Sequence, residues 1–279
     1  MDLHAVESYL QPRSLQEIDW QSGYVLLAGG TWLFNEPQPQ IDTLVDMQQL
    51  GWTELDVSEP GLAIGAMCLQ STLLAFSFPG EWTAAAALKA AVQELASFKV
   101  SNGATVGGNI CLALSASTFA PVMIALDASY EIWPVQGTPY RVKALDFQLA
   151  PQKTILQPGA ALRKIWIAAE NLRGWQTRFK RMAVATAGYA IATVVAAYNE
   201  ATQHVRFGIA GSVIAPRLVE ITSRLTDAEL ATALAEQVSE QDYLDDERAS
   251  RSYRRHITLV LMQRALTDLI TATHTPQRL

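Results

Sequence analysis

Residues 103–128 read GATVGGNICLALSASTFAPVMIALDA. Gly107 and Gly108 stand side by side in an otherwise apolar, small-residue stretch; Asn109 follows them, and Pro121 comes further on. Two readings compete. One is a tight turn between two core elements. The other is a backbone loop that something polar must approach closely, because glycine admits positive φ and lets a ligand reach the main chain.

Upstream, residues 26–33 (LLAGGTWL) repeat the design. Each segment has two glycines among small residues, with a Thr or Asn beside them. Consecutive N–H groups around such glycines form anion-binding concavities, and the hydroxyl of Thr31 or Thr105 can donate to a phosphate oxygen. Neither segment follows the phosphate-loop pattern that ends in Gly-Lys-Ser/Thr, and neither follows Gly-x-Gly-x-x-Gly. Two such segments suit a pyrophosphate-containing dinucleotide held from both sides. Either one alone is weak evidence, since Gly-Gly pairs are commonly ordinary turns, and a small-molecule binding protein with two plain turns is the reading that remains if both are.

Around these segments the pattern is mixed. Residues 24–28, 41–45 and 61–67 read as short strands, and the first fifty or so residues as a small α/β unit. Residues 83–100 have Leu88, Val92 and Leu95 at helical spacing, with Thr83 as N-cap and residues 101–103 as the stop. A short helix over 121–128 and strands over 130–134 and 162–168 follow. Residues 188–198 and 205–210 read as a hairpin. After Pro216 the character turns helical, with helices predicted over 227–238 and 256–270. A boundary near Gly174 would separate an N-terminal part from a smaller sheet-plus-helices part.

Composition narrows the function classes. Of 279 residues, 49% are hydrophobic and 17% charged, as expected of a well-buried globular chain. Net charge is −6, and Lys and Arg cluster only near residues 248–255, which argues against nucleic acid as a partner. Cys68 and Cys111 are the two cysteines; they and the four histidines lack the spacing of a zinc or iron–sulfur site. The longest apolar run, residues 187–198, falls short of the roughly 20 residues of a membrane span. The N-terminus carries no signal-peptide pattern. A soluble, cytoplasmic chain is expected.

Together the motifs resemble the FAD-binding (medium) subunit of the xanthine dehydrogenase and carbon monoxide dehydrogenase family of molybdenum hydroxylases. That family carries an AGGT loop, here residues 28–31. It also carries NxATxGGNI…P…LLALDA, here NGATVGGNICLALSASTFAPVMIALDA from Asn102. IDTLVDMQQL and GLAIGAMCLQST resemble its connecting segments, and RASRSYRRHI (residues 248–257) resembles the Arg-Gly-Ser-x-Tyr-Arg-Arg stretch before its last helices. The likeness spans nearly the whole chain.

The resemblance implies an α+β fold in which two lobes of non-Rossmann type, about 1–55 and 56–174, hold FAD. A domain of three-stranded antiparallel sheet with a helical bundle, 175–279, would follow. It implies that Leu27, Ala28, Gly29, Gly30, Thr31, Trp32 and Leu33 wrap the pyrophosphate, and that Thr105, Gly107, Gly108 and Asn109 meet FAD from the other side. Leu162 would pack near the isoalloxazine, and Lys180 near its pyrimidine edge; a surface lysine is the alternative for Lys180. Thr118 follows Ser117 where the family has an Asp that contacts FAD, and Trp32 stands where many members carry an acid. Trp32 is read either as a cover for the cofactor or as a core or subunit-contact residue. The implied activity is that of an oxidoreductase subunit in a heterotrimer with a molybdopterin-binding large subunit and a [2Fe–2S] small subunit. It would pass electrons to NAD+ or another acceptor. The alternative is an assembly subunit with weak or lost FAD binding.

Overall fold

Three short strands come first in a computed structural model that describes residues 4–94, 98–185, 188–222 and 226–274. They are β1 (Ser8–Leu10), β2 (Tyr24–Leu27) and β3 (Thr43–Asp46), and they form a parallel sheet in the order β1-β3-β2. The sequence predicts β2 and β3 but not β1, whose three residues are too few to show a period of two. Leu27, Ile41 and Leu44 make the buried cluster of this lobe, with Val6, Val25 and Leu33 packed against it.

The next part begins with β4 (Leu55–Ser58) and β5 (Gly61–Gly65), then α1 (Gln70–Ala75), α2 (Ala86–Gln93), α3 (Phe98–Gly103), α4 (Val106–Leu112) and α5 (Phe119–Ala125). Strands β6 (Ser129–Trp133), β7 (Tyr140–Lys143), β8 (Gln148–Ala150), β9 (Lys153–Thr154) and β10 (Ala161–Ala168) complete it. Its sheet is antiparallel in the order β4-β5-β10-β6-β7. The long helix predicted over 83–100 is broken. A 3-10 turn at Thr83–Ala85 leads into α2, and the residues read as a stop, 101–103, lie inside α3; residues 95–97, and with them Leu95, fall outside the described residues. Thr83 does not cap: its hydroxyl donates to the Trp175 carbonyl at 2.6 Å, across the chain.

Four strands then form an antiparallel meander, one more than the resemblance implies: β11 (Trp175–Ala183), β12 (Ala190–Asn199), β13 (His204–Ala210) and β14 (Arg217–Ile221). β14 occupies the residues after Pro216 where helix was expected, because Val219 and Ile221 alternate into the core. Helix α6 (Asp227–Gln237) opens with a Thr226/Glu229 capping box, and α7 (Arg251–His274) begins five residues before the predicted start.

This second sheet is buried on both faces. Val194, Ala196, Phe207 and Ile209 pack under α6 and α7 with Leu230, Leu261 and Met262. On the other face, Val195 and Ala197 join the cluster that contains Ile64, Leu88, Phe119 and Ile165. The sheets thus change near residue 174 while the apolar core runs on across it. A Cβ on Gly208 would fall on the Pro121 carbonyl, so α5 sits directly on β13. Arg254, 1% exposed, ties α7 to the sheet by donating to the carbonyls of Ile191 and Gly211, each at 2.8 Å, and to Asp246 at 2.6 Å. The fold is α+β, and no helix among the described residues is long and apolar enough to cross a membrane.

Candidate functional site

β2 ends at the buried Leu27, and the chain turns out of the sheet through Ala28 and Gly29. Gly30 takes a left-handed φ of +68°, which a side chain would strain. A turn follows, closed by Phe34 N–H donating to the Gly30 carbonyl at 2.9 Å and Asn35 N–H to the Trp32 carbonyl at 2.8 Å. The N–H groups of Gly29, Gly30, Thr31, Trp32 and Leu33 donate to no acceptor among the described residues. Leu33 turns into the small-lobe cluster; Trp32 is half-buried and belongs to none of the apolar clusters, so it is not a core residue.

The second glycine segment is not a loop. Thr105 is the N-cap of α4, in extended conformation, and its Oγ1 accepts from Gly108 N–H at 2.9 Å. Val106 N–H donates to the Cys68 carbonyl at 2.9 Å, Gly107 N–H to Ala66 at 3.0 Å and Asn109 N–H to Thr105 at 3.2 Å. The N–H groups of Val106, Gly107 and Gly108, which a helix start normally leaves open, are therefore taken. A run of consecutive unpaired amide donors lies in the first segment and not in this one.

What the second segment provides is close approach. A Cβ on Gly29 would fall on the Gly103 carbonyl, one on Gly103 would come within 3.1 Å of Thr31 Cγ2, and one on Gly108 within 3.7 Å of the Ala28 Cβ. The two glycine segments therefore touch, although some seventy residues separate them. Gly107 faces elsewhere: its Cβ would lie 2.6 Å from the Ala66 carbonyl oxygen, packing α4 onto the end of β5. Gly103, quoted in the motif but given no role, turns out to be the seat of Gly29.

Beyond α4, Ser117 Oγ donates to Asn109 Oδ1 at 2.8 Å and accepts from Ala120 N–H at 3.3 Å, which holds Asn109 in place. Thr118 is 7% exposed, caps nothing, and its hydroxyl is buried with no partner. An orphaned buried hydroxyl costs on the order of 1–3 kcal/mol. Leu162, at 2% exposure, lies in the core next to a bulge in β10. Burial pushes the Cys111 thiol up to about 12, so it stays protonated and serves as packing.

Lys180 goes elsewhere. It pairs across β11 and β12 with Val194, on the face under α7, and its ammonium meets Asp268 at 2.5 Å. Phe179 and Val195 occupy the opposite face, toward the lobes. The alternation of a strand therefore turns Lys180 away from the glycine segments. Among the described residues, no group of His, Cys, Asp and Glu is placed to hold a metal ion.

The site is thus a turn with five unpaired N–H donors, packed against Gly103 at the end of α3 and, through Ala28, against Gly108 of α4, whose Asn109 is held by Ser117 next to the unpartnered Thr118 hydroxyl. These features fit an anionic, hydroxyl-bearing dinucleotide such as FAD. Residues 5–168 match the family described as the FAD binding domain in molybdopterin dehydrogenase. The glyceraldehyde dehydrogenase medium chain of Sulfolobus acidocaldarius is 27% identical over 281 residues, covering 94% of this chain and 98% of that protein. The nicotine 6-hydroxylase medium subunit of Paenarthrobacter nicotinovorans is 23% identical over 287 residues, covering 96% and 98%. Reconstituted CO dehydrogenase from Oligotropha carboxidovorans contains a chain of the same fold, with a TM-score of 0.83 at 20% identity, covering 96% of this chain and 98% of that one.

Proposed function

Because the chain belongs to the family of FAD-binding domains of molybdopterin dehydrogenases, we propose that it is the electron-transfer subunit of a molybdenum hydroxylase complex. It passes electrons from the [2Fe–2S] centres of a small partner subunit to NAD+ or another acceptor. Hydroxylation takes place on a molybdopterin-binding large subunit. The observation that carries this reading is the row of free N–H groups from Gly29 to Leu33, in a turn packed against Gly103 and, through Ala28, against Gly108 of α4.

In this reading the chain binds and orients. Gly29, Gly30, Thr31, Trp32 and Leu33 present main-chain donors to the pyrophosphate, and the Thr31 hydroxyl adds another. Asn109, held by Ser117, and the free Thr118 hydroxyl supply polar contacts from the far side. Thr105 and Gly108 set the close approach of α4, and the half-buried Trp32 offers an aromatic face. Leu162 backs the site from within the core. FAD, when bound, supplies the hydride and single-electron chemistry, and no residue is assigned as a general base.

The test is an absorption spectrum of the purified full chain before and after incubation with FAD, followed by gel filtration. Flavin absorption that stays with the protein at close to one equivalent is the expected result. A chain that stays colourless after FAD is added, alone and with its partner subunits, would support the assembly-subunit reading instead.

A further inference from the structure

The span between the two glycine contacts rests on a residue that no sequence motif singles out. Gln70 opens α1 and is fully buried. Its backbone N–H donates to the Ala104 carbonyl at 3.0 Å, and its Nε2 to the Thr105 carbonyl at 3.4 Å. Leu69 and Thr105 form an antiparallel bridge, and the Cys68 carbonyl accepts from Val106 N–H at 2.9 Å. Residues 68–70 therefore grip residues 104–106, which run from Gly103, the seat of Gly29, to the glycine pair of α4.

The other end of the Gln70 amide is unsatisfied: Oε1 is buried without a partner. A buried amide satisfied at one end is a net cost, and a leucine of similar size would carry none. Capping does not account for it, since the N-cap of α1 is Leu69, with no side-chain cap bond. What the amide does is donate to the one peptide that both precedes Val106 and accepts from Asn109 N–H at 3.2 Å. Its effect therefore falls on the start of α4.

We propose that Gln70 is a positioning residue for the FAD site: its carboxamide fixes the Thr105 peptide and, through it, the placement of Gly108 and Asn109 against the Ala28 turn. The binding half of this inference rests on the FAD reading above; the positioning half does not.

Two full-length variants test it, Gln70→Leu and Gln70→Glu. FAD affinity is measured by flavin fluorescence over a range of pH. Backbone amide exchange at residues 106–109 is measured without FAD, with α7 as the internal reference. Gln70→Leu should weaken FAD binding and speed exchange at 106–109 by about tenfold each, the loss of one buried hydrogen bond, and leave α7 unchanged. A glutamate can donate to the Thr105 carbonyl only while protonated, so Gln70→Glu should bind FAD well at low pH and lose affinity as pH rises; the unaltered chain should lack that slope. Exchange and affinity in Gln70→Leu both within about twofold of the unaltered chain would overturn the proposal. So would a Gln70→Glu pH profile parallel to that of the unaltered chain. If Gln70→Leu does not fold, the Gln70→Glu profile decides. If the unaltered chain itself binds no FAD, the FAD reading fails, and exchange at 106–109 in either variant still decides whether Gln70 positions α4.

Discussion

Thr118 shows how one residue can raise opposite demands. The family resemblance implies an acid here that contacts FAD, and threonine brings a neutral hydroxyl that can donate as well as accept. In the fold that hydroxyl is buried and idle. Thr118→Val keeps the shape and removes the orphan. The chain without FAD should then gain on the order of 1 kcal/mol, read as a higher melting temperature, while FAD affinity falls about tenfold. A lower melting temperature with unchanged affinity would mean that the hydroxyl serves the protein and not a ligand. The glycines divide in the same way. Gly30 answers to its positive φ, Gly29 and Gly107 let backbone pack on backbone, and Gly103 makes room for the Thr31 methyl. Gly108 is less crowded: a Cβ there would sit 2.9 Å from its own cap, Thr105 Oγ1, and 3.7 Å from Ala28.

At the scale of elements, β11 decides the standing of the cation. Arg181 shares the lobe-facing side with Phe179, donates to the Gly188 carbonyl at 2.5 Å and lies 3.8 Å from Glu94. Lys180, one residue earlier, faces α7. Its pair with Asp268 is partly exposed on both sides, at 30% and 44%, so solvent screens it. Lys180→Met should therefore cost less than about 1 kcal/mol in thermal unfolding and leave the flavin midpoint potential of the loaded chain unchanged in a redox titration. A downward shift would return Lys180 to the flavin. The seven residues of α4 show a related effect: the Thr105 hydroxyl and the carbonyls of Cys68 and Ala66 take the N–H groups of Val106, Gly107 and Gly108, leaving the β2 turn to bind charge.

At the scale of the molecule, the core does not respect the change of sheet. Val195 and Ala197 of β12 are buried in the same cluster as Ile64 and Ile165, with Phe179 and Leu218 packed against it. The hydroxyl of Thr83 reaches Trp175, and α5 rests on β13 through Gly208. A chain ending at Gly174 would expose that face of the middle lobe. It should show no cooperative thermal transition and should elute as aggregate in gel filtration. A monomeric fragment that melts cooperatively would show that the N-terminal lobes carry a sufficient core of their own.

The sequence by itself determined the glycine motifs, the strands β2 and β3, the hairpin of β12 and β13, and the likeness to a family, since each is written in local spacing and composition. Only the tertiary structure decided that the two motifs touch, which of them keeps its amide donors, which face Lys180 takes, and that Gln70 underlies Thr105. β1 and β14 also became strands only through their neighbours in the sheets. The physical reason is common to all of these. A hydrogen-bond partner or a buried face is supplied by residues far away in the chain, and local sequence does not record who they are.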